Sequence, residues 1–351
     1  MSERVPSGQA QTVLGPVNDG ALGVTLPHEH LLCDITCFYV EPEEVTTRML
    51  GRQPVTLQNR GWVHYHWTSN LDNLCLWDET SAIAEARHLV LAGGRTVVDP
   101  TNVGLGRDPL ALVRVARATG LQIIMGSGHY VDVTHSADVR RRSDESIGAE
   151  IARDVTVGVK DTGIRAGLIG EIGCSWPWTE SERKCMRGAV HAQRATGAPL
   201  MVHPGRHSRA PFEIVEFLQK EGADLRRMIM CHIERTSTDH GWLKDLAATG
   251  CYLEYDNFGR EGSYYPPSPD VDIISDAQRM DLVRWHLEQG HGPQILLSHD
   301  LATKTHLHAY GGTGYDHLLT NLVPRLRRRG LSDDALHLLL VQNPARAFTF
   351  E

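Results

Sequence analysis

The sequence predicts an α/β fold, a (β/α)8 TIM barrel with a long insertion after its first strand and a short N-terminal β segment. Three observations predict it. Eight short apolar runs recur along the chain. Seven of them follow a glycine that ends a helical stretch. Ligand-type side chains gather at the same end of five runs.

The first run covers 23–30 and ends in His28-Glu29-His30. After it, Gly94 precedes 96–99, Gly120 precedes 122–125, Gly163 precedes 167–171 and Gly197 precedes 200–203. Gly222 then precedes 228–232, Gly250 precedes 251–254 and Gly292 precedes 295–300. Glycine ends helices because it accepts the left-handed conformation just past the last turn. The runs are continuously apolar rather than alternating, as strands buried on both faces of a parallel sheet must be. Between them lie helix starts. Thr179-Glu180-Ser181-Glu182 reads as a capping box. Asp108-Pro109 sets an N-cap before a proline at the first helical position. Ile147, Ile151, Val155 and Val159 recur on one helical face.

Strands alternating with helices imply a parallel sheet, and eight of them favour closure into a barrel. With 351 residues and 41% hydrophobic content, a single domain spanning 1–351 is expected. Two excursions break the rhythm. Residues 32–77 follow the first strand, and residues 256–275 follow the seventh. In barrels such loops sit at the C-terminal face and wall the active site.

The net charge of −8 argues against a nucleic-acid partner. No apolar stretch approaches the ~20 residues needed to cross a bilayer. The first eleven residues, MSERVPSGQAQ, lack the apolar core of a secretory signal. The seven cysteines are odd in number and lack CxxC spacing, so a reducing cytoplasm is the expected location.

The chemistry lies in six residues. Side chains at i and i+2 of an extended strand share a side, so His28 and His30 aim at one point. Glu171 ends the fourth strand, His203 the fifth, His232 the sixth and Asp300 the eighth. Carboxylates are almost never fully buried unless paired, so Glu171 and Asp300 at the ends of apolar strands demand partners. His28 and His30 can hold one divalent ion, and His203 and His232 a second. Glu171 can bridge, and Asp300 lies beside the first strand in a closed barrel and can complete the first shell. Nitrogen and carboxylate donors without thiolate suit zinc, with manganese, iron and cobalt as options. Two ions ~3.5–4 Å apart would share a hydroxide. Glu29 is expected to point away and pair in the helix layer, while His135, His191 and His240 read as surface. A GxSxG elbow and a phosphate-binding GxxxxGK[ST] loop are absent, and Gly104-Leu105-Gly106 lacks the third glycine of a dinucleotide fingerprint.

These residues sit in segments that resemble the phosphotriesterase family of the amidohydrolase superfamily. They are GVTLPHEHLL, GEIGCSWPWTESERK, HAQRATGAPLMVHPGR, CYLEYDNFG, LLSHDLATK and YGGTGYDHLLTNLVP, nearest to the phosphotriesterase-related branch. The resemblance runs from about Thr12 to Phe348. It implies a barrel with a binuclear centre. His28, His30 and Asp300 would serve the more buried ion, His203 and His232 the more exposed one, and Glu171 the bridge. Many organophosphate-degrading members have a carboxylated lysine at that bridge. A second departure is Glu234, where the branch commonly has Asp.

The implied reaction is hydrolysis, with a bridging hydroxide as nucleophile and Asp300 taking its proton. Arg206, Arg235 and Lys304 follow ligand strands and are expected either at the mouth, where arginine can clamp a carboxylate or sulfonate, or solvated or paired with local acids such as Glu234. Trp176 can pack on the acyl group or serve equally as a structural plug in the strand-four loop. The branch is associated with amides of the N-acetyltaurine type, so a small anionic amide, ester or lactone is the expected substrate. Two alternatives stay open: a phosphotriesterase or lactonase, and a metal-dependent binding protein without turnover. A small molecule is the expected partner, and the excursions leave a homodimer open.

Overall fold

The computed structural model describes residues 5–351; the first four residues of the expected 1–351 domain lie outside the described residues. β1 (Gln9–Thr12) and β2 (Gly15–Asn18) form an antiparallel hairpin, the short N-terminal β segment. β3 (Thr25–Leu26) opens the barrel. β4 (Cys33–Asp34) and β5 (Cys75–Leu76) pair antiparallel and pinch the long insertion at its base. The barrel continues with β6 (Thr96–Asp99), β7 (Gln122–Ser127), β8 (Leu168–Gly173) and β9 (Leu200–His203). It ends with β10 (Met228–Met230), β11 (Tyr252–Tyr255) and β12 (Ile295–Leu297). The eight barrel strands are parallel to their neighbours in chain order, from β3 to β12.

The seam between β12 and β3 is joined without a ladder of its own. Asp300 N donates to His28 O at 3.1 Å and His30 N to Leu301 O at 3.2 Å. Glu29 binds the seam from the side. Its carboxylate accepts from Ser298 Oγ (2.7 Å), His299 N (3.0 Å), His299 Nδ1 (2.6 Å) and Leu301 N (3.1 Å). The expected helix-layer partner of Glu29 is therefore corrected to the end of the last strand. Four donors from one adjacent segment satisfy a buried carboxylate more completely than a single cation would.

Alternate residues of the apolar runs face opposite ways. Val98, Ile124, Leu168, Met201, Ile229 and Leu296 pack together inside the barrel, against Ala10 and Leu22 from the N-terminal segment and Ala347 and Phe348 from the last helix. Their neighbours Val97, Ile123, Ile169, Leu200, Met230, Leu253 and Leu297 belong to the core shared with the helices. Two buried faces explain why the runs read as unbroken apolar sequence. The chain ends meet below this plug, where Gly8 N donates to Phe350 O and Phe350 N to Gln9 O, each at 2.8 Å.

The cap signals are realised, while Val159 and Gly163 fall beyond the helix that ends at Thr156 and the left-handed residue before β6 is Gly93 rather than Gly94. Thr179 and Glu182 form the capping box of helix Glu180–Thr196, and Asp108 caps helix Pro109–Thr119 through Ala111 N. Ile147, Ile151 and Val155 lie buried on helix Asp144–Thr156. Before β12, the left-handed stop is Gly290 (φ 81°), not Gly292, which opens a short 3-10 turn. Among the described residues, no helix is long and apolar enough to cross a membrane.

Candidate metal centre

The structure brings all six predicted residues to the C-terminal mouth of the barrel. β3 itself ends at Leu26, so His28 and His30 converge from just beyond it, with ring centroids 5.4 Å apart. His203 closes β9. His232 and Asp300 follow the ends of β10 and β12 with left-handed backbones, at φ 56° and 48°. Such a conformation costs a non-glycine residue about 1–3 kcal/mol and concentrates at functional sites. At His232 its use is visible. Cys231 packs inside the barrel, so plain alternation would send the next side chain outwards.

Glu171 reaches the interior through a β-bulge between Ile169 and Ile172 in the β8–β9 pairing. Bulges re-aim side chains in this way. The residue before it must be glycine: a Cβ on Gly170 would lie 2.4 Å from the Met201 carbonyl oxygen, at φ 128°. Once turned inwards, Glu171 divides its oxygens. Oε2 lies 2.8 Å from His203 Nδ1 and 3.0 Å from His232 Nε2. Oε1 lies 3.7 Å from His28 Nε2 and 3.9 Å from His30 Nε2. Asp300 Oδ1 faces the same two nitrogens at 3.7 and 3.4 Å.

Three imidazoles are fixed from behind. His28 Nδ1 meets Glu254 Oε2 at 2.9 Å, His232 Nδ1 meets Asp256 Oδ1 at 2.8 Å, and His30 Nδ1 meets Thr101 Oγ1 at 2.7 Å. In each case Nε2 is left towards the centre, the arrangement that orients metal-binding histidines. Thr101, Glu254 and Asp256 escaped the sequence reading. Glu254 and Asp256 carried a usable signal, because they repeat the i, i+2 spacing of His28 and His30 at the end of an apolar run.

The electrostatics favour a cation. Burial opposes ionisation of Glu171, Asp256 and Asp300, yet all three are held below the usual carboxylate range. His203 and His28 do this for Glu171, His232 for Asp256, and His30 with Arg260 for Asp300. Burial pushes Glu254 up to about 7 against the pull of His28. Burial and Arg235 hold His203 well below its ordinary value. His28 Nε2 is buried without a hydrogen-bond partner, a costly state unless something engages it. His28, His30 and Asp300 bring ligand atoms within 4.8 Å of one another, and so do His28, Glu171 and His232. The orphaned nitrogen and this donor set fit a divalent ion with nitrogen and oxygen ligands.

A cavity of about 40 Å³ stands over the centre, lined by His30, Glu171, His203 and Asp300 and by Arg206, Arg235, Arg260 and Tyr265. A water needs roughly 10–15 Å³, so it admits small groups only. Arg206 and Arg235 are at the mouth. Lys304 is not. Its Nζ pairs with Asp72 Oδ1 at 2.7 Å, because the chain after Asp300 turns onto the first insertion, where Thr305 N donates to Asn73. Arg260, from the 256–275 loop, takes that place instead, with Nη2 3.1 Å from Asp300 Oδ2. Trp176 also lies outside the cavity, stacked on His207 at 4.5 Å. Glu234 does not touch the centre. It is buried, accepts from Asn257 N at 2.8 Å and lies 3.4 Å from Arg279 Nε, so it anchors the start of the 256–275 loop. His135, read as surface, is buried between Ser181 Oγ and Tyr130 O, each at 2.8 Å.

A barrel with imidazoles and carboxylates clustered at its C-terminal mouth, in groups that could hold a metal ion, places the chain among barrel enzymes. Among these, the chain belongs to the phosphotriesterase family of hydrolases: the sequence model described as Phosphotriesterase family matches residues 8–348. The chain is 43% identical over 346 residues to the N-acetyltaurine hydrolase of Homo sapiens, covering 98% of this chain and 99% of that protein. A resiniferatoxin-binding protein from Rhodobacter sphaeroides superposes with a TM-score of 0.95 at 38% identity, covering 99% of this chain and 96% of that one. A mutant of a PTE-like lactonase from Deinococcus radiodurans gives 0.75 at 29% identity, covering 97% and 99%.

Proposed function

We propose that this chain is a binuclear metal-dependent hydrolase that cleaves the amide bond of a small N-acylated acid, of the N-acetyltaurine class. One observation carries the reading. Glu171 offers one oxygen to each histidine pair, directly beneath a cavity walled by Arg206, Arg235 and Arg260. His28, His30 and Asp300 would hold one ion, His203 and His232 the other, and Glu171 both. Zinc is the first candidate, and the donor set also accepts manganese, iron or cobalt. When bound, the ions supply Lewis acidity and a water whose pKa falls from 15.7 towards ~7.

The remaining work falls to the protein. Arg206 and Arg235 bind the acid group and fix the amide over Glu171. A neutral phosphotriester or lactone has no anion for such a wall, which favours the amide among the family's reactions. Asp300 is ionised, keeps 18% of its side chain exposed to the cavity and is anchored by Arg260. Its carboxylate is placed to accept a proton and return it to the departing amine nitrogen. Glu254, Asp256 and Thr101 keep the imidazoles turned to the centre. Glu171 arrives already charged and needs no carboxylation.

Metal analysis of protein purified without chelator, followed by a panel of N-acyl acids, lactones and phosphotriesters, tests this. Two equivalents of metal and preference for the N-acyl acids are expected. Protein that stays cation-free when supplied with transition ions, or that prefers the neutral esters, overturns it. Arg206→Ala should raise KM for an anionic amide far more than for a neutral analogue.

A further inference from the structure

The two arginines of the cavity already share a ligand. Arg206 Nε donates to the Tyr265 hydroxyl at 3.0 Å, and Arg235 Nη1 donates to the same oxygen at 2.8 Å. Two guanidinium donors converging on one oxygen make a seat that an oxygen of a sulfonate or carboxylate can also take. Tyr265 is only 5% exposed. Burial pushes a phenol up, yet Arg206 and Arg235 bring this one down to about 7, so its oxygen carries anionic character near neutrality.

The position of the ring adds a second observation. Tyr265 lines both the cavity over the centre and an adjoining cavity of about 50 Å³, and Trp67 and Arg260 border both as well. The ring is therefore part of the partition between them. It rides on the 256–275 loop, where Ser268 N donates to Tyr265 O at 2.9 Å and Ile273 N to Ser263 O at 2.8 Å. These bonds stay inside the loop, so Tyr265 can shift without breaking a barrel strand pairing.

We propose that Tyr265 determines specificity: its hydroxyl is an internal stand-in for the acidic oxygen of the substrate, held by Arg206 and Arg235 and exchanged for a sulfonate or carboxylate as substrate enters. The identity of the acid rests on the amide-hydrolase reading above; the exchange does not. A buried Arg235 and a half-buried Arg206, stripped of an anionic partner, are costly. A ligand with an acid group can replace the phenol oxygen, and a neutral ligand cannot. Selection for acids then comes from competition with the protein's own side chain.

The test is calorimetric titration of the metal-loaded enzyme with ethanesulfonate, and with dimethyl sulfone as the uncharged control. Tyr265→Phe keeps the ring and removes the competing oxygen. Ethanesulfonate should bind roughly three- to tenfold tighter, the worth of about one net hydrogen bond. The sulfone should change by less than about twofold, because it carries no charge to set between the two arginines. With an N-acylated sulfonate, KM should fall by the same factor while kcat holds. Unchanged or weaker sulfonate binding by Tyr265→Phe, or equal effects on both probes, overturns the exchange. In the wild type, saturating ethanesulfonate at mildly alkaline pH should lower tyrosinate absorbance, as the phenol leaves its two cations and regains its ordinary pKa. An unchanged spectrum overturns the proposal without any variant. Tighter sulfonate binding by Tyr265→Phe in an enzyme that cleaves no N-acyl acid would sink the amide reading and leave the exchange standing.

Discussion

At one end of the barrel, Val98, Ile124, Leu168, Met201, Ile229 and Leu296 close on Leu22, Ala347 and Phe348. At the other end the same strands deliver the buried Glu171, His203, His232 and Glu254, with Asp300 half-buried beside them. The apolar end gains roughly 25 cal/mol for each Å² it removes from water. The polar end loses by desolvation what it recovers through pairing. Stability and chemistry are thus assigned to opposite ends of one set of strands, and a mutation should disturb one and spare the other.

Asp300→Asn should break the polar end alone. Turnover should fall by about 10²–10⁴, the usual worth of a positioned proton acceptor. Metal content should stay substantial and the melting temperature near wild type. Unchanged turnover would remove Asp300 from its role. Phe348→Ala should do the reverse. It empties part of the plug and should cost about 3–5 kcal/mol in denaturant titration, with kcat of the folded enzyme unchanged. A large drop in kcat would show that the two ends are coupled. Asp256→Asn sharpens the comparison with the smallest effect. It leaves every ligand in place and should weaken metal binding by about 10–100-fold in a chelator competition, with little change in fold stability.

Much of this was legible in the sequence because each signal was local. His28 and His30 are two positions apart, and Glu171, His203, His232 and Asp300 each close an apolar run, so order along the chain became order around the mouth. The misses are long-range. Lys304 lies close to Asp300 in sequence, but its direction depends on Asp72 in a distant insertion. Arg260 and Tyr265 sit in a loop without regular structure, and only packing aims them at the cavity. Trp176 is drawn to His207, a contact no periodicity encodes. Glu171 was found at the right end of its strand, though the bulge that turns it inwards shows only as Gly170 beside it.

The last join of the barrel is stitched by Glu29, with Ser298 Oγ also accepting from His28 N at 3.0 Å. The threads run between the very residues that flank His28, His30 and Asp300. The width of that stitch therefore sets how far apart those three side chains stand. Under the proposed metal reading, Glu29→Asp, shorter by one methylene, would change that spacing and so the grip on an ion, from a carboxyl that serves only as mortar.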